Sequence, residues 1–148
     1  MITTCIPNSA KQGFLEGLYL AAHNYYMALF YDTGSLSLGP TTTAYAATGE
    51  VSGIGYTAGG KLLTTYASGN DSNGGWIDFA DPSWGPTTGA PLATPATFVA
   101  SGAMIYDSSA SNAAIAIWSF GSNQTVSAGT FTVTLPVAAG LTGLIHLN

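Results

Sequence analysis

Side chains able to act as acid, base or nucleophile are scarce in this sequence. There are seven carboxylates, Glu16, Asp32, Glu50, Asp71, Asp78, Asp81 and Asp107, beside two histidines, two lysines and the single Cys5. A hydrolase or transferase needs a nucleophile next to a base, paired carboxylates or a metal cluster. The acids here are instead spread through separate turns and strand ends. Asp78 and Asp81 form the one close pair, and with Trp84 they could build a carbohydrate-binding corner, since the face of a Trp stacks on sugar rings. The alternative is a plain turn, with Asp81 preceding Pro82 and Asp78 on the wet face of a strand. His23 and His146 have no Cys, Asp or His at metal-ligand spacing. Asp71-Ser72-Asn73, within GNDSNGG, lacks the spaced acids and closing glutamate of a calcium loop and reads as a turn. Cys5 has no partner for an intrachain disulfide. No catalytic residue, metal or cofactor is expected.

The densest unusual stretch is Tyr45 to Gly60, YAATGEVSGIGYTAGG, in which five glycines surround Glu50, Val51, Ile54 and Tyr56. As a phosphate loop it fails: Gly59-Gly60-Lys61 is followed by Leu62 where Ser or Thr is needed, and no G-x-G-x-x-G sits between a strand and a helix. Glycine at this density serves positions of positive φ or close backbone approach, so the stretch reads as a shaped loop. Val51 and Tyr56 are expected to pin it to the body of the fold, with Val51 and Ile54 buried. Glu50, Val51, Gly53, Gly55, Tyr56, Gly59 and Gly60, together with Trp76 and Trp84, are the structural and interface candidates.

A length of 148 residues suits a single domain, here 1–148, with an N-terminal arm and short helix over 1–24 and strands and loops over 25–148. Charged residues make up 6% of the chain, against about 25% in an ordinary soluble protein. A surface so poor in charge is expected to face other subunits. With no arginine, two lysines (Lys11 and Lys61) and a net charge of −5, the chain has nothing with which to neutralise a row of phosphates, and nucleic acid is not an expected partner. The longest apolar run, 17–31, is too short to span a bilayer, so no membrane partner is expected. MITTCIPNSAKQG shows neither a basic leader nor an apolar core, so no secretory signal is expected and synthesis is placed in the cytoplasm.

The local patterns are those of an antiparallel β protein. Asn8 or Ser9 is expected to cap a short helix anchored by Phe14, with Leu15 and Leu18 on the same side. Tyr25 to Tyr31 is apolar on both alternating faces and belongs inside the fold or at an interface. Strands follow over Lys61–Tyr66, Trp76–Ala80, Phe98–Tyr106, Ala114–Phe120, Thr125–Leu135 and Leu144–Leu147. GNDSNGG is expected to turn a hairpin, the strands at Phe98 and Ala114 to pair, and the prolines of TTGAPLATP to mark a loop or edge. About seven strands with turn signals between them predict a mainly β, jelly-roll-like antiparallel sandwich with one short N-terminal helix.

EVSGIGYTAGGKLL, from Glu50 to Leu63, resembles a segment of small structural proteins of tailed-bacteriophage virions that carry EVSG-x-GYTAGG. Ala10-Lys11-Gln12, Ala28-Leu29-Phe30, FADPSW (Phe79 to Trp84), AMIYD (Ala103 to Asp107) and GTFTV (Gly129 to Val133) follow in the same order. GNDSNGG and TTGAPLATP depart from the pattern as insertions. The resemblance brings no enzymatic residues with it. It implies a structural component of the virion, and with the acidic balance, which disfavours the DNA-facing side, and the charge-poor surface, the expectation is a capsid decoration or cement protein, a homotrimer bound to the major capsid protein on the outer surface of the shell. The alternative is a tail or spike component whose Trp76, Trp84 and Tyr66 contact host glycans. A free carbohydrate-binding or hydrolytic domain is disfavoured by the missing catalytic pair and the missing secretion signal.

Overall fold

A strand that is apolar on both sides has to be covered on both sides, and YYMALF is such a strand. The protein is seen here as a computed structural model that describes residues 1–71, 74–87, 93–136 and 144–147, with Asp71, His146 and Leu147 described as backbone alone. YYMALF forms β1 (Tyr25–Phe30), inside a four-stranded antiparallel sheet. The helix α1 (Asn8–Leu15) precedes it. The later strands are β2 (Lys61–Leu62), β3 (Ala67–Asp71), β4 (Gly74–Asp78), β5 (Ser83–Trp84), β6 (Ala96–Asp107), β7 (Ala113–Gly129), β8 (Phe131–Thr132) and β9 (Ile145–Leu147). The larger sheet has the order β2-β1-β6-β7, and smaller sheets have the orders β3-β4-β9 and β5-β8. The chain is mainly β, antiparallel and sandwich-like, with one short helix.

Alternation along β1 divides the core in two. Tyr25, Met27 and Leu29 join Phe98, Ile105 and Ile115 against Phe79, which directly follows β4, and Trp84 and Ile145 of the smaller sheets. Ala28 and Phe30 face the other way, with Met104, Tyr106 and Ile117, and are covered by Ile2 and Leu36. The pairing of β1 with β6, from Tyr25↔Asp107 to Phe30↔Gly102, holds both faces in one register. A slip of one residue would exchange the two sets.

Several elements differ from their sequence patterns. No side chain caps α1: Pro7 occupies the N-cap, while Asn8 N donates to Pro40 O and Ser9 Oγ to Thr42 O. The buried helix residues are Ala10 and Gly13; Phe14 is half-buried and Leu15 points to solvent. Tyr19 folds its ring back over Gly13 and meets Phe14 edge-on at 4.9 Å, and both rings pack against the core. Lys61–Tyr66 is not one strand, because Thr65 turns the chain at φ 57 between β2 and β3. Thr125–Leu135 is divided too: 125–129 ends β7, and Phe131–Thr132 joins a different sheet after Ala128 at φ 49. Its inward set survives the break, with Phe131, Val133 and Leu135 in the core, because alternation encodes the side that is buried and not the partner strand. The hairpin at GNDSNGG forms with Asp71 opposite Gly74, and its tip at 72–73 lies outside the described residues, as do 88–92 of TTGAPLATP.

Gly60 shows how tightly the Gly-rich loop lies on the sheet. Its φ is +78°, and a Cβ there would sit 2.0 Å from the Met27 carbonyl oxygen in β1. Gly17 is also left-handed, at φ +68°, with nothing within 4 Å. Gly60→Ala is expected to destabilise the fold by about 3 kcal/mol or more, since backbone has to move. Gly17→Ala is expected to cost about 1–2 kcal/mol, the left-handed penalty alone. Urea denaturation of the two variants checks the difference; equal midpoints would contradict it.

Candidate functional site

The candidates converge on the loop from Tyr45 to Gly60, where the glutamate is the fixed point. Glu50 Oε1 accepts from the Tyr56 hydroxyl and from the Gly59 N–H, each at 2.8 Å, and Oε2 accepts from the Tyr45 hydroxyl at 2.5 Å. Tyr56 Oη in turn accepts from Leu29 N in β1 at 2.9 Å, and Tyr106 of β6 donates to Gly59 O at 2.7 Å. Tyr45 stacks on Tyr106 at 4.5 Å, and Tyr106 on Tyr26 at 5.7 Å. Burial, reinforced by the Glu50 carboxylate, pushes the phenols of Tyr45 and Tyr56 well above their ordinary range; for Tyr56 the Leu29 N–H opposes that shift in part. Tyr106 is raised for the same reasons. A carboxylate so engaged ties loop to sheet and has little left to offer a substrate.

Backbone contacts complete the attachment. Tyr31 N donates to Gly49 O, Val51 N to Leu29 O and Thr97 N to Ile54 O, so the loop runs along β1 and then meets β6. Val51 is buried. Gly53 lies on Thr97 and Phe98, where a Cβ would stand 2.4 Å from the Thr97 oxygen, and Gly55, at φ +76°, lies on Ala96. Ile54 is 62% exposed, against the expectation of burial. Its backbone pairs with Thr97 at the strand's margin, and the side chain is left over open solvent.

Trp84 is brought to the same place. It is 5% exposed, with its ring 6.1 Å from Tyr56 and 6.2 Å from Phe131. Beside it an open groove of about 410 Å³ is lined by Gly55, Tyr56, Thr57, Gly60, Lys61 and Trp84, among others. Trp76 is elsewhere, half-buried on β4 with its ring over Gly69 of β3. Of the Asp78–Asp81 pair, Asp81 reaches away from its own turn: its Oδ1 accepts from Leu135 N at 2.8 Å. Asp32 does cap its own turn, accepting from Gly34 N and Leu36 N, and the Gly34 N–H is the main cause that holds its carboxyl below the usual range.

One pairing was not legible in the sequence. His23 Nδ1 lies 2.6 Å from Oδ2 of Asp107, which is fully buried and also accepts from Ser109 N. Around it Ser108 N and Oγ donate to Asn24 O, and Asn24 N donates to Ser109 Oγ. The two residues are 84 positions apart, and only the register Tyr25↔Asp107 brings them together. The His146 side chain lies outside the described residues. Among the described residues, no three or more His, Cys, Asp or Glu side chains gather as a metal site, and no helix is long and apolar enough to cross a membrane.

Compared with family models, curated proteins and solved structures, the chain matches none.

Glu50→Ala leaves two hydroxyls and one N–H without their acceptor, and is expected to lower stability by about 2–4 kcal/mol, with Glu50→Gln recovering part of the loss. The raised phenols predict a pH dependence. The unfolded chain ionises its tyrosines near the ordinary value of about 10, before the folded one does. The stability contributed by Tyr45 and Tyr56 is thus complete below that pH and is lost as pH rises through the higher folded values. Urea midpoints measured across this range should fall, and Tyr45→Phe/Tyr56→Phe should lower the neutral midpoint while flattening the alkaline fall. An unchanged alkaline slope in the double variant would contradict the assignment.

Proposed function

We propose that the chain is a structural subunit of a bacteriophage virion, a decoration or cement protein on the outer surface of the shell, in contact with the major capsid protein and with its own copies. The observation that carries the reading is a surface that is short of charge yet holds large apolar side chains open to solvent. Leu15, Leu18 and Leu20, within six residues of one another, are 89%, 46% and 53% exposed, and the whole chain has nine Lys, Arg, Asp and Glu residues. Exposed apolar groups with little charge around them favour protein contact over free solution. The acidic balance sets such a subunit away from packaged DNA, and the phage-like segments quoted above supply the particle. The Glu50 network supports a role as a rigid tile, because it ties the longest shaped loop to the central sheet.

The glycan-contacting alternative draws less support. Trp84 is packed between Tyr56 and Phe131, and Tyr66 stacks on Tyr25 at 5.9 Å, so neither ring lies open as a sugar platform.

Quantitative gel analysis of virions purified from the encoding phage is expected to show hundreds of copies per particle; a handful would overturn the shell assignment. Leu15→Glu/Leu18→Glu, at solvent-facing positions, should leave the melting temperature unchanged and weaken rebinding to stripped particles at least tenfold, or about 1.4 kcal/mol.

A further inference from the structure

Tyr31 stands apart from the other tyrosines. Each of those packs on another aromatic ring, whereas the Tyr31 ring meets no other ring, and its hydroxyl no hydrogen-bond partner, among the described residues. At 39% it is the one aromatic residue there that lies open to solvent. Its backbone is nonetheless fixed at the end of β1: Tyr31 N donates to Gly49 O, Asp32 N to Ser101 Oγ, and Asp32 Oδ1 accepts from Gly34 N and Leu36 N.

Two grooves adjoin at this ring. One, of about 510 Å³, has Leu36, Leu38 and Ala44 among its apolar lining and carries Thr33, Ser35, Ser37, Thr41 and Thr48; the other, of about 430 Å³, runs past Val51, Ser52 and Phe98. Tyr31, Thr33 and Gly49 line both. The five hydroxyl residues are exposed, and their hydroxyls meet no protein partner among the described residues, unlike Thr42, whose Oγ1 accepts from Gly39 N. Glu50 is the one Asp, Glu, Lys or Arg that lines either groove, and both its oxygens are taken by Tyr45, Tyr56 and Gly59.

We infer that the grooves at Tyr31 form a binding site for a neutral oligosaccharide, with the Tyr31 ring as the platform for the C–H face of a pyranose and the Ser and Thr hydroxyls as partners for its hydroxyls. The lining selects this ligand. A charged peptide or a phosphate would find no free counter-charge, and an acidic sugar would approach Glu50 in a chain of net charge −5. A purely apolar ligand would strip water from hydroxyls and give them nothing in return. An added peptide strand is met by a closed edge, since Gly49 O and Val51 N already pair with Tyr31 N and Leu29 O. A neutral sugar satisfies both kinds of surface, and the grooves have the size usual for small ligands, about 300–1,000 Å³. The site is separate from Trp84 and Tyr66, the packed rings that a spike protein would have used, and it depends on no assignment to the particle.

The purified chain, titrated with neutral hexasaccharides of glucose, mannose, galactose and N-acetylglucosamine and followed by NMR, is expected to bind at least one with a Kd of about 1 mM or tighter. The amide shifts should move at Thr33 and Gly49, which line both grooves, and the acidic hexamer of galacturonate should leave them in place. Tyr31→Leu, which keeps apolar bulk but removes the ring face, should weaken binding about tenfold or more, and Tyr31→Phe should keep it within about threefold. Thr33→Val/Thr48→Val, at exposed positions, should weaken it about tenfold at an unchanged melting temperature. No binding of any of the four at about 10 mM, binding that survives Tyr31→Leu, preference for the acidic hexamer, or equal binding of an uncharged Ser- and Thr-containing hexapeptide would overturn the proposal. The copy number on the particle tests the shell assignment separately, so either reading can fail while the other stands.

Discussion

The close approach of the Gly-rich loop to the central sheet is the constraint on which most else depends. Backbone can touch backbone there because Gly53, Gly55 and Gly60 present no Cβ to Thr97, Ala96 and Met27. Contact alone would leave polar groups buried without partners, and an unmet donor of that kind costs about 1–3 kcal/mol. Glu50 removes the difficulty by accepting from Tyr45, Tyr56 and Gly59 together, while Tyr56 takes up the Leu29 N–H that the short β2 leaves free. Glycine spacing and one carboxylate thus act as a unit: the first permits the approach, and the second satisfies what the approach would bury.

That loop is part of the reason a strand as apolar as β1 can exist in a chain of this size. The central sheet is covered on one face by the smaller sheets and on the other by the N-terminal segment and the 36–45 region. Coverage on both sides consumes most of the large apolar residues and leaves the outside to hydroxyl, amide and small side chains, with a few exposed leucines among them. The low charge of the surface is the physical basis for the proposal that the protein is a component of an assembly.

Legibility in the sequence followed the range of the interaction. The two-faced burial of YYMALF, the β6–β7 pairing, the hairpin at GNDSNGG and the inward set Phe131, Val133 and Leu135 were all readable, because each rests on side-chain alternation or turn chemistry within a few residues. Phe14 packs against the core as expected, but Leu15 and Leu18 face solvent, and Ile54 was misread because its burial depended on where the loop met β6. Asp81 resembled a turn acid and instead holds Leu135 N, 54 residues away.

Composition and periodicity by themselves determined an antiparallel β protein and singled out the glycine-rich stretch from Tyr45 to Gly60 as a shaped loop. Tertiary structure alone decided which groups meet: Glu50 with Tyr45, Tyr56 and Gly59, His23 with Asp107, and Trp84 inside the fold instead of on it. The reason is physical. Alternation and glycine content are local properties of a chain, whereas a hydrogen bond between residues 84 apart exists only once sheet register has fixed both ends.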